Sequence, residues 1–244
     1  MFTQGSNWKS LAPIWQRIDR IYCISLADRK DRQANAKHQF SRVGLDGMVV
    51  FFLARRHPRD CEQGIFESHQ TCLKMGLDGG ARHILVFEDD VIFRKIDAQR
   101  LATCIDFFMN TDDCQILFLG CLASGSRATR TPGIRSIKYR CLTHAYLIKR
   151  SPARQVAGAP WHKLPYDMVM QHIIDEPFVL YPSIVFQNNS PSDNSRHRTL
   201  DAIRRLFGGL RFIQIANEHY HRFRMTIIVT HVAAIAAAAL WVLS

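Results

Sequence analysis

Short apolar runs alternate with amphipathic stretches along most of the chain, the pattern of strand, helix, strand units around a mostly parallel central sheet. Residues 21–26 form the first predicted strand. Asp28 is placed to cap a following helix whose Ala36, Phe40 and Val43 share one face, and Gly44 is its natural stop. Residues 48–53 make a second strand. After a polar loop, Ile65, Phe66, His69, Cys72, Leu73, Gly76 and Leu77 recur at helical spacing until Asp78, Gly79 and Gly80 end the helix. Residues 83–87 read as a short buried strand. Asp97 opens a helix in which Leu101, Cys104, Ile105 and Phe108 fall on one face, and residues 115–119 return as a fourth strand. Residues 120–133, rich in Ser, Gly, Thr and Arg, carry no periodicity and read as a mobile surface loop. Residues 146–148 end another strand, Ser151 and Pro152 start a helix, and residues 161–167 are a Pro-punctuated passage into a further helical segment. Beyond Tyr181 and Pro182 the chain reads as irregular and polar. There are no internal repeats.

The last twenty residues break this pattern. No residue from Met225 to Ser244 carries a fixed charge, and a helix of that length spans ~30 Å, the thickness of a bilayer's hydrocarbon core. Arg196, Arg198, Arg204, Arg205, Arg211, Arg222 and Arg224 crowd the segment just before it, against only Asp201 and Glu218. Such a cluster binds anionic headgroups and holds its side of the membrane in the cytoplasm, with Trp241 at the far interface. The other reading is an Ala-rich core helix, which His231 and the alanines of 233–239 favour. Residues 1–20 contain no continuous apolar run of the kind a secretory signal needs, so the catalytic part is expected on the cytoplasmic face. The expected division is an N-terminal segment 1–19, a catalytic domain 20–195, a basic juxtamembrane segment 196–224 and a membrane anchor 225–244.

Composition narrows the picture further. A chain of 244 residues with 47% hydrophobic content accommodates one α/β core and is too ordinary for a fibrous or disordered protein. The formal charge of +11 calls for a polyanionic partner: nucleic acid, anionic lipid or a diphosphate-bearing substrate. The seven cysteines are odd in number, sit mostly in apolar runs and include no Cys-x-x-Cys pair, so reduced, buried thiols are expected.

The candidate chemistry centres on one string. Ile84, Leu85, Val86 and Phe87 lead straight into Glu88, Asp89 and Asp90, and apolar character resumes at Val91, Ile92 and Phe93. Buried carboxylates must be paired with cations or coordinate a metal. In open α/β sheets ligands gather at the carboxyl ends of strands, and hard oxygen ligands there suit Mg²⁺ or Mn²⁺ bound to phosphate oxygens. On an extended backbone Glu88 and Asp90 face one way and Asp89 the other. An acidic turn at a strand end is the bland reading, and acidic pairs after strands also occur in phosphatases and nucleases.

Residues 64–69, 83–93, 143–151, 165–167 and 181–193, with Leu26, Asp28, Arg29 and Arg32 after the first strand, resemble glycosyltransferase family 25 in order and spacing over roughly residues 20–193. The family includes bacterial lipooligosaccharide transferases and collagen galactosyltransferases, and Glu88-Asp89-Asp90-Val91 is the most specific match. Three departures stand out: Ser25 replaces the usual Asn, Ala54-Arg55-Arg56-His57 replaces an Ala-x-Asp-Gly element, and Gly64-Ile65 with Glu67 replaces Gly-Cys before Ser68-His69. The resemblance implies a GT-A-type nucleotide-sugar fold, transfer with inversion at the anomeric carbon, and a donor such as UDP-galactose held with Mn²⁺ or Mg²⁺.

An inverting displacement needs a cation for the leaving diphosphate and a base for the acceptor hydroxyl. Glu88 and Asp90 are the expected metal and ribose contacts, with Asp89 beside them on the donor. Asp167, after Pro165 and Tyr166, is the expected base, with a helix N-cap as its other reading; Asp193 is a second candidate with a turn as its alternative. His69 can touch diphosphate or acceptor, or be a hydrogen-bonded core residue. Arg29 and Arg32 can pair with phosphate, or be solvent-facing helix charges, and Arg127, Arg130 and Arg135 share that ambiguity. The expected acceptor is a cell-surface glycan or lipooligosaccharide at the membrane, with no nucleic acid partner. The rival readings are a metal-dependent phosphoryl-transfer enzyme, which would need Asp112 and Asp113 as a second acidic cluster, and a non-catalytic membrane adaptor.

Deleting residues 225–244 is expected to move the protein from membranes to the soluble fraction while sugar-nucleotide binding persists. A truncated chain that no longer folds would identify the segment as a core helix.

Overall fold

The computed structural model describes residues 11–188 and 209–243. Its centre is an eight-stranded sheet in the order β2 (Val49–Ala54), β1 (Arg20–Leu26), β3 (His83–Glu88), β8 (Ala145–Lys149), β5 (Ile116–Phe118), β9 (Phe178–Leu180), β7 (Ile134–Cys141), β6 (Leu122–Ala128). Strands β2, β1, β3, β5, β9 and β6 run in one direction, while β8 and β7 run in the other. The sheet is thus mixed but largely parallel, with β8 inserted between β3 and β5. A two-stranded ribbon of β4 (Val91–Phe93) and β10 (Val185–Gln187) sits beside it.

Strand β3 is buried from Ile84 to Phe87 because helices cover both faces of the sheet, which is why it reads as an unbroken apolar run rather than an alternation. Its side chains nevertheless divide by parity. Leu85 and Phe87 join Trp15, Phe40, Leu101, Ile105 and Phe108 under α1 (Ala12–Trp15), α2 (Lys30–Ser41) and α4 (Ala98–Asn110). Ile84 and Val86 join Phe66, Leu73, Val156, Tyr166 and Met170 under α3 (Cys61–Asp78), α5 (Arg150–Gly158) and α6 (Tyr166–Ile173). The same parity carries past the strand's end and decides where the acidic side chains go.

Several expected signals are realised. Asp97 caps α4, accepting from the Arg100 N–H at 2.7 Å, and Ala36, Phe40 and Val43 are all buried. All seven cysteines are free, and burial pushes thiols such as Cys72 up to about 12. Other expectations are corrected. Asp28 does not cap α2, whose N-cap Arg29 makes no side-chain capping bond; Asp28 pairs instead with Arg56 Nε at 2.9 Å. Residues 120–133 are not a loop but mostly strand β6, hairpinned to β7; register shifts at Leu122, Ala123 and Gly125 break its period, and its edge position leaves both faces wet. The stretch after Pro182 contains β10. Residues 11–19 belong to the core, since Trp15 is fully buried and its indole N–H donates to the Val43 carbonyl at 2.9 Å.

The tail is one helix, α7 (Gly209–Leu243), long and apolar enough to cross a membrane. Its first turns dock on the domain. Gln214 Nε2 donates to the Val185 carbonyl at 3.0 Å, Asn217 exchanges two bonds with the Ala123 backbone, and Glu218 Oε1 accepts from the Ser183 N–H at 2.7 Å. From Met225, which is 63% exposed, to Leu240 the helix stands clear of the domain, so the core-helix reading fails. Asp193, Asp201, Arg196, Arg198, Arg204, Arg205 and the side chain of Trp241 lie outside what is described.

Gly120 makes this docking possible, because a Cβ there would lie 2.0 Å from the Val185 carbonyl oxygen and 2.6 Å from Gln214 Nε2. Gly120→Ala is expected to cost roughly 1–3 kcal/mol through this overlap. A denaturant midpoint equal to that of the parent protein would contradict it.

Candidate active site

The carboxyl ends of β1, β2 and β3 open into a cleft of about 1030 Å³, walled on the other side by the β7–β8 connection, α6 and the first turn of α7. The acidic triplet forms its floor, and the three side chains have different surroundings.

Asp89 points toward α2. Its Oδ2 accepts from Ser25 Oγ at 2.6 Å and its Oδ1 from Arg32 Nη1 at 3.2 Å, with only 8% of the side chain exposed. Asp89 is therefore an internally neutralised strut between β3, β1 and α2. Ser25 supplies one of its donors.

Glu88 continues the parity of Ile84 and Val86 toward α3 and α6. Its Oε2 accepts from Gln187 Nε2 at 3.3 Å, its Oε1 lies 3.5 Å from His69 Nε2, and 27% of the side chain is exposed. Asp90 Oδ1 is buried with no hydrogen-bond partner among the described residues. Burial pushes both carboxyls well above the usual carboxylate range. The nearby charges of Asp167 and Asp89 add to this at Glu88, and that of Glu88 at Asp90, while Arg32 opposes it at both. A divalent cation beside the two carboxyls would oppose that rise. Among the described residues no three His, Cys, Asp or Glu side chains converge on one point, so Glu88 and Asp90 would share an ion with oxygens of a bound ligand. Mg²⁺ and Mn²⁺ fit that arrangement, since one or two carboxylates with substrate phosphates suffice to hold them.

His69 is 1% exposed and lies flat on Tyr166, with ring centroids 3.9 Å apart and an interplanar angle of 11°. Its Nδ1 is 3.0 Å from Tyr146 Oη, which in turn is 2.8 Å from Tyr166 Oη. Burial pushes its pKa down to about 3, so the imidazole is neutral. The core reading of His69 holds, and the residue also borders the cleft floor beside Glu88.

Asp167 stands opposite the triplet. It is not a helix N-cap: Pro165 holds that position in α6, and Asp167 sits in the first turn. Its Oδ1 accepts three bonds, from Tyr139 Oη at 2.7 Å, Thr143 Oγ1 at 2.7 Å and the Thr143 N–H at 3.1 Å. Among the described residues Oδ2 receives none, so one oxygen is clamped and the other stays available.

The expected arginines separate. Arg32 lines the cleft behind Asp89, whereas Arg29 is held by Asp31 at 2.8 Å and does not line it. Arg127 and Arg130 are exposed on the β6–β7 hairpin, and Arg135 donates to Ser126 Oγ and lies 4.9 Å over the Tyr181 ring, all away from the cleft. Arg55 and Arg59 line the rim near the end of β2. Asp112 and Asp113 precede β5, at the opposite end of the sheet from Glu88, so they form no second acidic cluster here. Sequence reasoning missed Gln187, Tyr139, Thr143 and Tyr146. Gln187 lies on a strand of only three residues, Tyr139 sits between Lys138 and Arg140 where it reads as a surface position, and Tyr146 is masked by the apolar run around it.

No protein-family model matches the chain, and no curated protein matches it. Among solved structures it is similar to A197 from STIV, with 13% identity and a TM-score of 0.46 over 68% of this chain and 83% of that one. It is also similar to a glycosyltransferase involved in glycosylation of the major capsid of PBCV-1, with 9% identity and a TM-score of 0.47 over 75% and 98% of the two chains. A third is mannose-1-phosphate geranyltransferase from Thermus thermophilus, with 10% identity and a TM-score of 0.40 over 68% and 74%.

Because Glu88 and Asp90 titrate higher in the folded chain than in an unfolded one, the folded state holds more protons above about pH 4. Without a divalent cation, stability falls as pH rises from there toward the raised native values. Melting temperatures of cation-free protein are expected to drop from about pH 5 to about pH 8, Mn²⁺ to restore them at the upper end, and Asp90→Asn to flatten the slope. Melting unaffected by Mn²⁺ throughout that range would contradict the cation site.

Proposed function

We propose that the chain is a membrane-anchored, inverting glycosyltransferase with a GT-A-type fold. On this reading it moves a hexose, galactose by its resemblance to family 25, from a nucleotide sugar to a hydroxyl of a cell-surface glycan or glycolipid on the cytoplasmic side of the membrane. The observation that carries the reading is the pair Glu88 and Asp90, the latter with one oxygen buried and without a hydrogen-bond partner among the described residues, across one cleft from a clamped Asp167.

The donor's diphosphate would lie over the end of β3, where Glu88 and Asp90 are the residues that would hold Mn²⁺ or Mg²⁺. A bound cation there supplies charge neutralisation for the departing nucleoside diphosphate. Asp89, tied to Ser25 and Arg32, keeps the triplet's backbone in place and is a support rather than a ligand. Gln187 donates to Glu88, and the neutral His69 lies 3.5 Å from its other oxygen.

On the facing wall Asp167 takes the proton of the acceptor hydroxyl as that oxygen attacks the anomeric carbon and the bond to the diphosphate oxygen breaks. The three donors on Oδ1 fix the carboxylate plane, so Oδ2 meets the acceptor without a search over rotamers.

A thermal shift in UDP-galactose with Mn²⁺ is expected to show protection that Asp90→Ala abolishes. Asp167→Asn is expected to keep that protection while transfer falls by about 10²-fold or more. Absence of protection by every sugar nucleotide would sink the reading.

A further inference from the structure

One short segment touches both walls of the cleft. Leu142, Thr143 and His144 are all that join β7 to β8, although β9 and β5 stand between those two strands in the sheet. Thr143 donates its N–H and its hydroxyl to Asp167 Oδ1, at 3.1 Å and 2.7 Å. His144, the next residue, is fully buried; its carbonyl accepts the Glu88 N–H at 2.9 Å, and its Nε2 lies 3.3 Å from the Val185 carbonyl. Adjacent residues therefore hold the facing wall and the acidic floor. On the other side of Leu142, Tyr139 Oη reaches the same Asp167 oxygen at 2.7 Å, so donors four residues apart in the chain converge on one atom.

The turn that allows this convergence is made at Leu142, whose φ is +76°. In that left-handed region the Cβ of an L residue crowds the carbonyl oxygen that follows, so bulky residues are rare there. Elsewhere among the described residues positive φ falls on glycine, except at Lys163, which does not line the cleft. Leu142 does line it, with only 9% of the residue exposed. A bulky residue keeps such a conformation where its surroundings over-determine it. Here the surroundings are its own burial on one side and the bonds of Thr143 and His144 on the other.

We propose that Leu142 is a positioning residue: its buried side chain locks the left-handed turn, and the locked turn fixes how far Asp167 Oδ2 stands from the end of β3. This rests on the transferase reading above, with Asp167 as base and β3 on the donor side. The separation matters because attack requires the reacting atoms within about 3–3.5 Å, and a displacement of about 1 Å can cost about 100-fold in rate. Glycine admits the same φ without strain but brings no side chain to hold it. Methionine fills nearly the same volume and keeps the anchor.

The test compares the full chain with Leu142→Gly, Leu142→Ala and Leu142→Met. Hydrogen exchange, read by mass spectrometry, follows the peptides that carry the Thr143 and Glu88 amides, the donors of the segment's two wall bonds. Steady-state transfer is read from radiolabelled UDP-galactose to a panel of glycan and glycolipid acceptors. Leu142→Gly is expected to speed exchange in both peptides by about tenfold while the paired amides of β1 and β2 keep their rates. Its kcat is expected to fall about tenfold or more, with KM for the donor and thermal protection by UDP-galactose and Mn²⁺ unchanged. Leu142→Ala is expected to act in the same direction, and it decides the matter if the glycine variant does not fold. Leu142→Met is expected to match the parent in every readout.

Unaltered exchange at Thr143 and Glu88 in the glycine and alanine variants overturns the lock. Faster exchange there with kcat unchanged overturns the positioning role. Faster exchange throughout the chain, or donor protection lost in step with kcat, makes Leu142 an ordinary packing residue and overturns it too. A parent chain that transfers to no acceptor and is protected by no sugar nucleotide brings down the transferase reading and the positioning role with it, while exchange still decides whether Leu142 locks the turn.

Discussion

Three consecutive carboxylates at the mouth of a buried strand impose a condition that the surrounding elements are built to meet. The apolar run of β3 must lie between two helical layers, which commits the residues directly after it to low dielectric. Strand parity then sends Asp89 to one layer and Glu88 to the other. Asp89 meets a guanidinium and a hydroxyl and is settled by them. Glu88 meets an amide and a neutral imidazole, Arg32 acts on both Glu88 and Asp90 without cancelling the rise, and one Asp90 oxygen has no hydrogen-bond partner among the described residues.

The rest of the cleft serves that floor. β10 reaches back along β4 to put Gln187 on Glu88 and the Asn188 N–H on the Asp90 carbonyl at 2.6 Å. The layer under Glu88 is aromatic and hydroxylic, with His69 stacked on Tyr166 and joined to Tyr146. On the opposite wall Tyr139 and Thr143 converge on one oxygen of Asp167. The two walls thus treat their acids in contrary ways: one withholds donors, the other concentrates them.

Much of this was legible in the chain, and the parts that were not share a physical reason. The buried strands and the helices over them announced themselves because burial on one or both faces writes a period into the sequence, as in the Leu101, Cys104, Ile105 and Phe108 face of α4. The opposed placement of Asp89 and its neighbours followed from pleat geometry alone. β6 was invisible because an exposed, bulged edge strand writes no period, and β10 because three residues are too few to carry one. Asp28 looked like a cap because Asp usually is one, yet an arginine two elements away, Arg56, competes for it successfully. The partners of Asp167 and Glu88 were hidden for a different reason: Tyr139, Thr143 and Gln187 are ordinary residues whose roles exist only in three dimensions.

The docking of α7 has a consequence for how this protein can be taken apart or recombined. His144 Nε2 and Gln214 Nε2 both contact the Val185 carbonyl, two residues before Gln187, and Gly120 leaves room for that carbonyl and for Gln214. The seam between the docked and the undocked parts of α7 therefore falls inside the helix, after His221, and not at that helix's start. Exchanging the undocked part as a module, by recombination or by fusion, keeps the cleft intact only if the join respects that seam. Any graft made at Gly209 would replace part of the cleft wall along with it.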